Sequence, residues 1–202
     1  MKKLVIVFFA CFVSLCSYSQ EHIKFNGATF GQPLNEFVKG FPQGSSKSYD
    51  SYTLPNGYNF DLYNYEEYYI KLNSKTWECR IFSSKNTNTV FMTVSSIRIN
   101  NNSLENNLML LVKTLEGKYG GGINEKQENL GEIVYKYGYH REMLALYYYV
   151  KDRNNKKIGE IRISAAPADK DAKNGWIELS YKDYKSSDKA TREYNSIMNN
   201  AL

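Results

Sequence analysis

Cysteine and histidine are scarce in this chain of 202 residues, which contains three cysteines and two histidines. Cys11 and Cys16 lie in an apolar N-terminal run, so Cys79 is the only cysteine in the remainder. A single cysteine cannot form an internal disulfide, and the fold is expected to depend on packing alone. The spacing of Cys79 from Trp77 and Ile81 predicts a strand with a buried thiol. Paired-cysteine and H-E-x-x-H zinc motifs do not occur, and we predict no metal ion and no cofactor.

Long runs of positive charge are also missing. Lysine and arginine exceed aspartate and glutamate by 26 to 21, for a formal net charge of +5. Removal of Lys2 and Lys3 with a leader peptide would lower this charge by two, to +3. The basic residues are scattered, whereas nucleic-acid-binding domains concentrate them, so nucleic acid is not a predicted partner. The phosphate-binding P-loop and the G-x-S-x-G motif of serine hydrolases are missing too.

The apolar run at the N-terminus is too short to span a membrane, which needs about 20 residues. It follows Lys2 and Lys3 and precedes small and polar residues that end at Ser19. This order is typical of a secretory signal peptide. We predict that residues 1–19 are removed by cleavage before Gln20. The mature chain would then be periplasmic or secreted, without a transmembrane segment.

A lipoprotein anchor is the alternative to simple cleavage, with the lipid on Cys11 or Cys16. That modification favours a small residue directly before the cysteine, whereas Leu15 precedes Cys16. Ala10 fits better before Cys11, but the apolar segment ahead of it would be very short. Release by ordinary cleavage is therefore the preferred prediction.

The spacing of apolar residues alternates along the chain between helical and strand-like periods. Helical spacing occurs at residues 33–41 and 103–119, and each of these segments precedes about four short strands joined by turns. The two groups of strands lie between residues 58 and 99 and between residues 132 and 182. A further amphipathic helix follows at residues 187–202.

This order predicts a single α+β domain over residues 20–202, with an antiparallel sheet and helices on one face. The same helix-then-four-strand order occurs twice, although the two halves share little residue-level similarity. It suggests a pseudo-repeat with halves at residues 23–99 and 103–183.

Several short motifs of the chain support a resemblance to known proteins. They are Phe25-Asn26-Gly27, Pro33-Leu34-Asn35-Glu36-Phe37, Lys118-Tyr119-Gly120 and Ile177-Glu178-Leu179-Ser180-Tyr181-Lys182-Asp183. With them, the chain resembles small exported proteins of unknown function from Gram-negative anaerobes. The tandem helix-then-meander layout also resembles beta-lactamase-inhibitor-like proteins. This resemblance implies binding to other envelope proteins rather than catalysis, and it transfers no functional residue.

Tyrosines alternate along two predicted neighbouring strands. Tyr135, Tyr137 and Tyr139 share one face of the first strand, and Tyr147 and Tyr149 share one face of the second. An exposed row of tyrosines offers a flat, partly apolar platform with hydroxyl groups, which suits sugar rings or a protein partner. We predict a binding site on these five tyrosines. In the alternative, they pack in the core beneath the middle helix or form half-buried cross-strand pairs.

The predicted function is non-enzymatic binding of a protein or glycan of the cell envelope, because no nucleophile–base pattern occurs. His22 follows the predicted cleavage site and is expected to be frayed, and His140 lies in a turn. One alternative is a carboxylate-based hydrolase that acts on polysaccharide. Its candidate carboxylates are Glu66, Glu67, Glu178 and Asp183. Another is a purely structural subunit, which would expose a large apolar patch.

Overall fold

The computed structural model describes residues 22–47, 63–120, 144–167 and 174–200. These residues form three helices, a two-stranded hairpin and a seven-stranded antiparallel sheet, which confirms the predicted α+β class. The helices are α1 (Leu34–Lys39), α2 (Asn101–Tyr119) and α3 (Tyr184–Asn200). The strands are β1 (Lys24–Phe25), β2 (Ala28–Thr29), β3 (Ser46–Lys47), β4 (Tyr63–Leu72), β5 (Lys75–Ser84), β6 (Val90–Asn100), β7 (Leu144–Lys151), β8 (Lys157–Pro167) and β9 (Asn174–Asp183). The predicted signal peptide, residues 1–19, lies outside the described residues.

The seven-stranded sheet has the order β3-β4-β5-β6-β9-β8-β7, and every neighbouring pair is antiparallel. Strands β4 to β6 form one meander and strands β7 to β9 form another. The last strand of each meander lies at the centre of the sheet, where β6 pairs with β9 and Ile97 faces Ile177. A two-fold axis between β6 and β9 would relate two such halves. The pseudo-repeat of residues 23–99 and 103–183 itself stays a prediction, because strand order alone does not establish a duplication.

One face of the sheet, the first face, carries the main core. Helix α1, the β1–β2 hairpin and α2 pack on it, with Phe25, Phe37 and Leu115 among their buried side chains. Each large apolar side chain buried in this way contributes about 1.5–3 kcal/mol to stability. The sheet contributes fully or nearly fully buried side chains of its own, namely Ile70, Trp77, Ile81, Ile161, Ile163 and Ile177.

Cys79 lies in the same core, as its spacing from Trp77 and Ile81 predicts. Desolvation by burial raises the pKa of its thiol to about 12, against weaker opposing effects of Ser95 and Arg80. The thiol is therefore protonated at neutral pH and acts as a small apolar side chain rather than as a nucleophile.

Helix α3 covers one end of the opposite face of the sheet, the second face. Ala190 of α3 packs against Phe82 and Phe91. Phe82 follows Ile81 along β5, so its side chain points away from the main core. The sequence predicts helices on one face of the sheet. Helices α1 and α2 do share the first face, whereas α3 lies on the second face. An amphipathic pattern predicts that a helix packs on a neighbour but does not indicate on which face of a sheet.

The side chain of Asp183 joins the start of α3 to the N-terminal end of the described chain. It is fully buried, and its carboxylate accepts hydrogen bonds from the backbone N–H of Ser186 at 2.9 Å and from the Ser186 hydroxyl at 2.6 Å. It also accepts the Ile23 N–H at 3.0 Å and lies 2.9 Å from His22 Nδ1. Asp183 is therefore both the N-cap of α3 and an anchor for His22. The expectation that His22 is frayed is wrong, because this carboxylate holds it.

We predict that Asp183→Ala lowers the free energy of unfolding by about 3 kcal/mol or more, because it removes a helix cap and leaves buried donors unpaired. Urea denaturation monitored by circular dichroism measures the loss. Asp188→Ala is the matched control, since Asp188 is an exposed carboxylate of the same helix and its removal should change stability by no more than about 0.5 kcal/mol. Equal losses in the two variants would contradict the assignment of Asp183 as an anchor.

Glu193 fastens α3 to the turn between β5 and β6. Its carboxylate accepts the backbone N–H groups of Asn86 and Thr87, each at 3.3 Å, and the Thr87 hydroxyl at 2.6 Å. Desolvation by partial burial raises the pKa of Glu193, but the hydrogen bonds from Thr87, Ser84 and Asn86 outweigh it. The pKa of Glu193 therefore lies below its ordinary value of 4.5.

The lowered pKa of Glu193 predicts a pH-dependent contribution to stability. This contribution is complete above the ordinary pKa and is lost as the pH falls through the lower pKa of the folded state. Glu193→Gln should be less stable than the native protein at about pH 7, and the difference should shrink at about pH 3. Thermal unfolding across this range tests it, with Glu105→Gln on the exposed side of α2 as the control. A difference for Glu193→Gln that stays constant with pH would contradict the prediction.

Candidate functional site

The register of the sheet places a row of side chains straight across the second face. Tyr69 of β4 pairs with Glu78, Glu78 with Ser96, Ser96 with Glu178, and Glu178 with Ser164 of β8. Directly paired residues share a face, with Cβ atoms about 5 Å apart. Two residues further along each strand lies a second row, formed by Glu67, Arg80, Val94, Ser180, Arg162 and Tyr147.

A groove with a volume of about 680 Å³ lies over these rows. This volume falls within the range of small-molecule sites, about 300–1,000 Å³. Four strands contribute to its walls, and most of its lining residues belong to the second face. The lining residues are Tyr69, Thr76, Glu78, Arg80, Ser96, Ile97, Arg98, Trp176 and Glu178.

Glu178 stands between two guanidinium groups at the side of the groove. Its Oε1 lies 3.3 Å from Arg162 Nη1, and its Oε2 lies 3.9 Å from Arg80 Nη2. The side chains of all three residues are between 24 % and 30 % exposed, so the contacts are partly screened by water. The three residues come from β8, β9 and β5, and Glu178 therefore fixes both arginines across the sheet.

Glu78 and Arg98 are the exposed charged residues of the groove. Within residues 22–47, 63–120, 144–167 and 174–200, neither side chain forms an ion pair or a side-chain hydrogen bond. Arg98 lies directly opposite Trp176 in the register, and Glu78 lies beside Tyr69. Both charged groups thus keep their hydrogen-bonding capacity for a ligand.

Aromatic side chains stand at the two sides of the groove. Tyr69 on β4 is 36 % exposed, and Trp176 on β9 is partly exposed. The two strands are three spacings apart in the sheet, which separates them by about 14 Å. Trp77 differs from Trp176 because it is buried in the core and its Nε1 donates to the Leu72 carbonyl at 3.2 Å.

The described residues include two of the five tyrosines of the predicted binding site. Tyr147 and Tyr149 are partly buried and belong to the second face, where they pair with Arg162 and Glu160. The alternative, burial beneath the middle helix, applies to their neighbour Tyr148, which is 1 % exposed. The other predicted site residues, Tyr135, Tyr137 and Tyr139, lie outside the described residues.

The ring of Tyr149 already has a cationic neighbour, since Lys157 Nζ lies 3.4 Å from its centre. Tyr147 lies in the second row of side chains, one strand beyond Arg162. Both tyrosines lie on β7, two strands beyond β9, and neither is among the residues that line the groove. Their role as binding residues stays a prediction.

Sequence reasoning did not nominate the groove residues Tyr69, Arg80, Arg98 and Trp176. Strand periodicity gave a partial signal, because it places Trp176 and Glu178 on one face of β9. Periodicity does not indicate which strands are neighbours in the sheet. The groove arises where β5 and β6 meet β9, which comes much later in the chain.

The cluster of His22, Asp183 and Ser186 has the residue types of a hydrolytic triad but not its geometry. Asp183 and Ser186 both approach the same ring nitrogen, Nδ1 of His22, at 2.9 and 3.3 Å. A triad requires the serine and the aspartate on different ring nitrogens. Ser186 is also 2 % exposed, so a substrate has no access to its hydroxyl. The cluster is structural.

Among the described residues, no group of three or more histidine, cysteine, aspartate or glutamate side chains could hold a metal ion. The described helices also include none that is both long and apolar enough for a membrane span. Comparisons with family models, curated proteins and solved structures return no match to this chain.

Proposed function

We propose that this protein is an exported, non-enzymatic binding module of the cell envelope and that its ligand occupies the groove on the second face. The observation that carries the proposal is the pair of exposed charged residues, Glu78 and Arg98, beside Trp176 and Tyr69 in one concave site. Tryptophan, tyrosine and arginine are the residues that most often dominate binding energy.

The groove is also built to keep its shape. Its side chains project from paired strands rather than from loops, and Glu178 holds Arg80 and Arg162 by ion pairs. Side chains that are already held in place lose less conformational entropy when a ligand binds. The leader pattern at residues 1–19 and the resemblance to exported, inhibitor-like proteins support an envelope partner.

Hydrolysis of a polysaccharide is the second candidate function, and one spacing favours it. Glu78 and Glu178 both pair with Ser96, so their backbone positions lie two strand spacings apart, about 9.5 Å. Inverting glycosidases separate their two carboxyl groups by about 6.5–9.5 Å. Binding is the better proposal because both oxygens of Glu178 already face arginines, whereas the second carboxylate of an inverting enzyme must hold the attacking water.

A structural subunit receives less support from the described residues. Their exposed large apolar side chains are few and come from separate elements, β4, α2 and α3. They are Tyr69, Met109, Leu110 and Met198.

Retention of envelope components tests the binding proposal. We expect the immobilised protein to retain material from a detergent extract of the producing cell's envelope, and the double variant Trp176→Ala/Arg98→Ala to retain little of it. Arg192→Ala, which removes an exposed arginine of α3, is the matched control and should behave like the native protein. Protein is detected by mass spectrometry and sugar by total carbohydrate analysis. Equal retention by the double variant and the control would contradict the proposed site.

The hydrolase alternative predicts a different readout. The native protein, incubated with soluble polysaccharides, would release reducing ends, and both Glu78→Gln and Glu178→Gln would abolish the release. We expect no release from the native protein. Release that depends on both carboxylates would replace binding by catalysis as the function of the groove.

A further inference from the structure

We infer that the ligand of the groove is a short stretch of neutral carbohydrate, an inference that rests on the proposed binding function. Three features of the groove lead to this class of ligand: its balanced charge, its aromatic sides and its size. The balanced charge argues against acidic polymers, the size argues against a folded protein, and the aromatic sides suit the apolar face of a sugar ring.

The charges that line the groove balance. Arg80 and Arg98 contribute two positive charges, and Glu78 and Glu178 contribute two negative charges. A site for a polyanion would concentrate one sign of charge, so the lining gives no electrostatic preference for acidic polymers. It does offer donors on Arg98 and acceptors on Glu78 within one site. Sugar hydroxyl groups both donate and accept hydrogen bonds, and they can use the two together.

The aromatic side chains supply the apolar part of such a site. One face of a pyranose ring presents several C–H groups with little polar surface, and these fit the electron-rich face of an aromatic ring. Trp176 has the larger ring system and lies directly opposite Arg98, so stacking on the indole would bring a sugar's hydroxyl groups towards the guanidinium. Tyr69 provides a second ring at the other side of the groove, on a strand about 14 Å from β9.

The size of the groove favours a few sugar rings over a folded protein. Its volume of about 680 Å³ is that of a small-ligand site. A stable protein partner would cover about 800 Å² on each side, which requires a surface well beyond these nine lining residues. A folded protein therefore fits the groove less well than a short carbohydrate does.

Tryptophan fluorescence gives a direct test, because the chain contains two tryptophans and Trp77 is buried in the core. A ligand in the groove would therefore change the emission of Trp176. We would titrate the folded protein with cellotetraose, mannotetraose, xylotetraose and tetra-N-acetylchitotetraose, and with tetragalacturonate as the acidic comparison. The expected result is a saturable emission change with at least one neutral tetrasaccharide and a weaker response to tetragalacturonate.

Variants locate the binding site by calorimetry with the same sugar. Arg98→Ala should weaken binding about tenfold or more, because it removes a charged hydrogen-bond donor. Trp176→Ala should abolish measurable binding, whereas Trp176→Phe should retain part of it, which guards against a loss caused by misfolding. Arg192→Ala should leave the affinity unchanged.

Two results would overturn the carbohydrate inference: no saturable response to any of the four neutral sugars, or a response to tetragalacturonate alone. If groove-dependent retention from the envelope extract persists in that case and protease destroys it, the binding function stands with a protein as the ligand. If groove-dependent retention is also missing, the proposed function fails together with the inference.

Discussion

The antiparallel pairing of β6 with β9 is the contact on which both the core and the groove depend. It joins the two meanders at the centre of the sheet and sets Ser96 opposite Glu178 and Arg98 opposite Trp176. If this pairing slipped by one residue, every side chain of the shifted strand would move to the opposite face of the sheet. Ile177 would then leave the core, and Trp176 would leave the groove. Burial of the apolar residues on the first face therefore fixes the positions of the polar residues on the second.

The two faces of the sheet are covered differently. Helices α1 and α2 bury the first face, and α3 covers the end of the second face near Phe82 and Phe91. Asp183 fixes the start of α3, and Glu193 fastens a later part of the helix to the turn between β5 and β6. Because α3 is held at that end, the part of the second face away from α3 keeps a concave surface with exposed charge. The same anchors thus support the fold and leave the groove accessible.

Local sequence patterns were sufficient for the parts of the fold that depend on local spacing. The apolar stripe of residues 103–119 predicted α2 within two residues of its observed start, where the Asn100 side chain caps the helix by accepting the Asn102 N–H. Alternation also placed Tyr147 and Tyr149 on the face opposite Tyr148. Such patterns report which residues share a face, and they depend only on near neighbours in the chain.

The groove could not be predicted in the same way, because its residues meet through strand order. Trp176 and Arg98 belong to different meanders, and nothing local to either indicates that β9 joins β6 rather than an edge of the sheet. The expectation that His22 is frayed fails for a related reason, since its anchor, Asp183, lies at the other end of the chain. Both features depend on contacts between residues far apart in the chain, and local sequence patterns give little indication of such contacts.

A cross-strand disulfide would test the β6–β9 register most directly. Val94 and Ser180 are paired on the second face, and directly opposed residues in an antiparallel sheet lie within the Cα separation that a disulfide accepts. Val94→Cys combined with Ser180→Cys should oxidise readily and leave the fold intact, whereas Val94→Cys combined with Leu179→Cys should not, because Leu179 lies on the first face. Efficient bridging in the second pair and none in the first would contradict the register, and with it the groove.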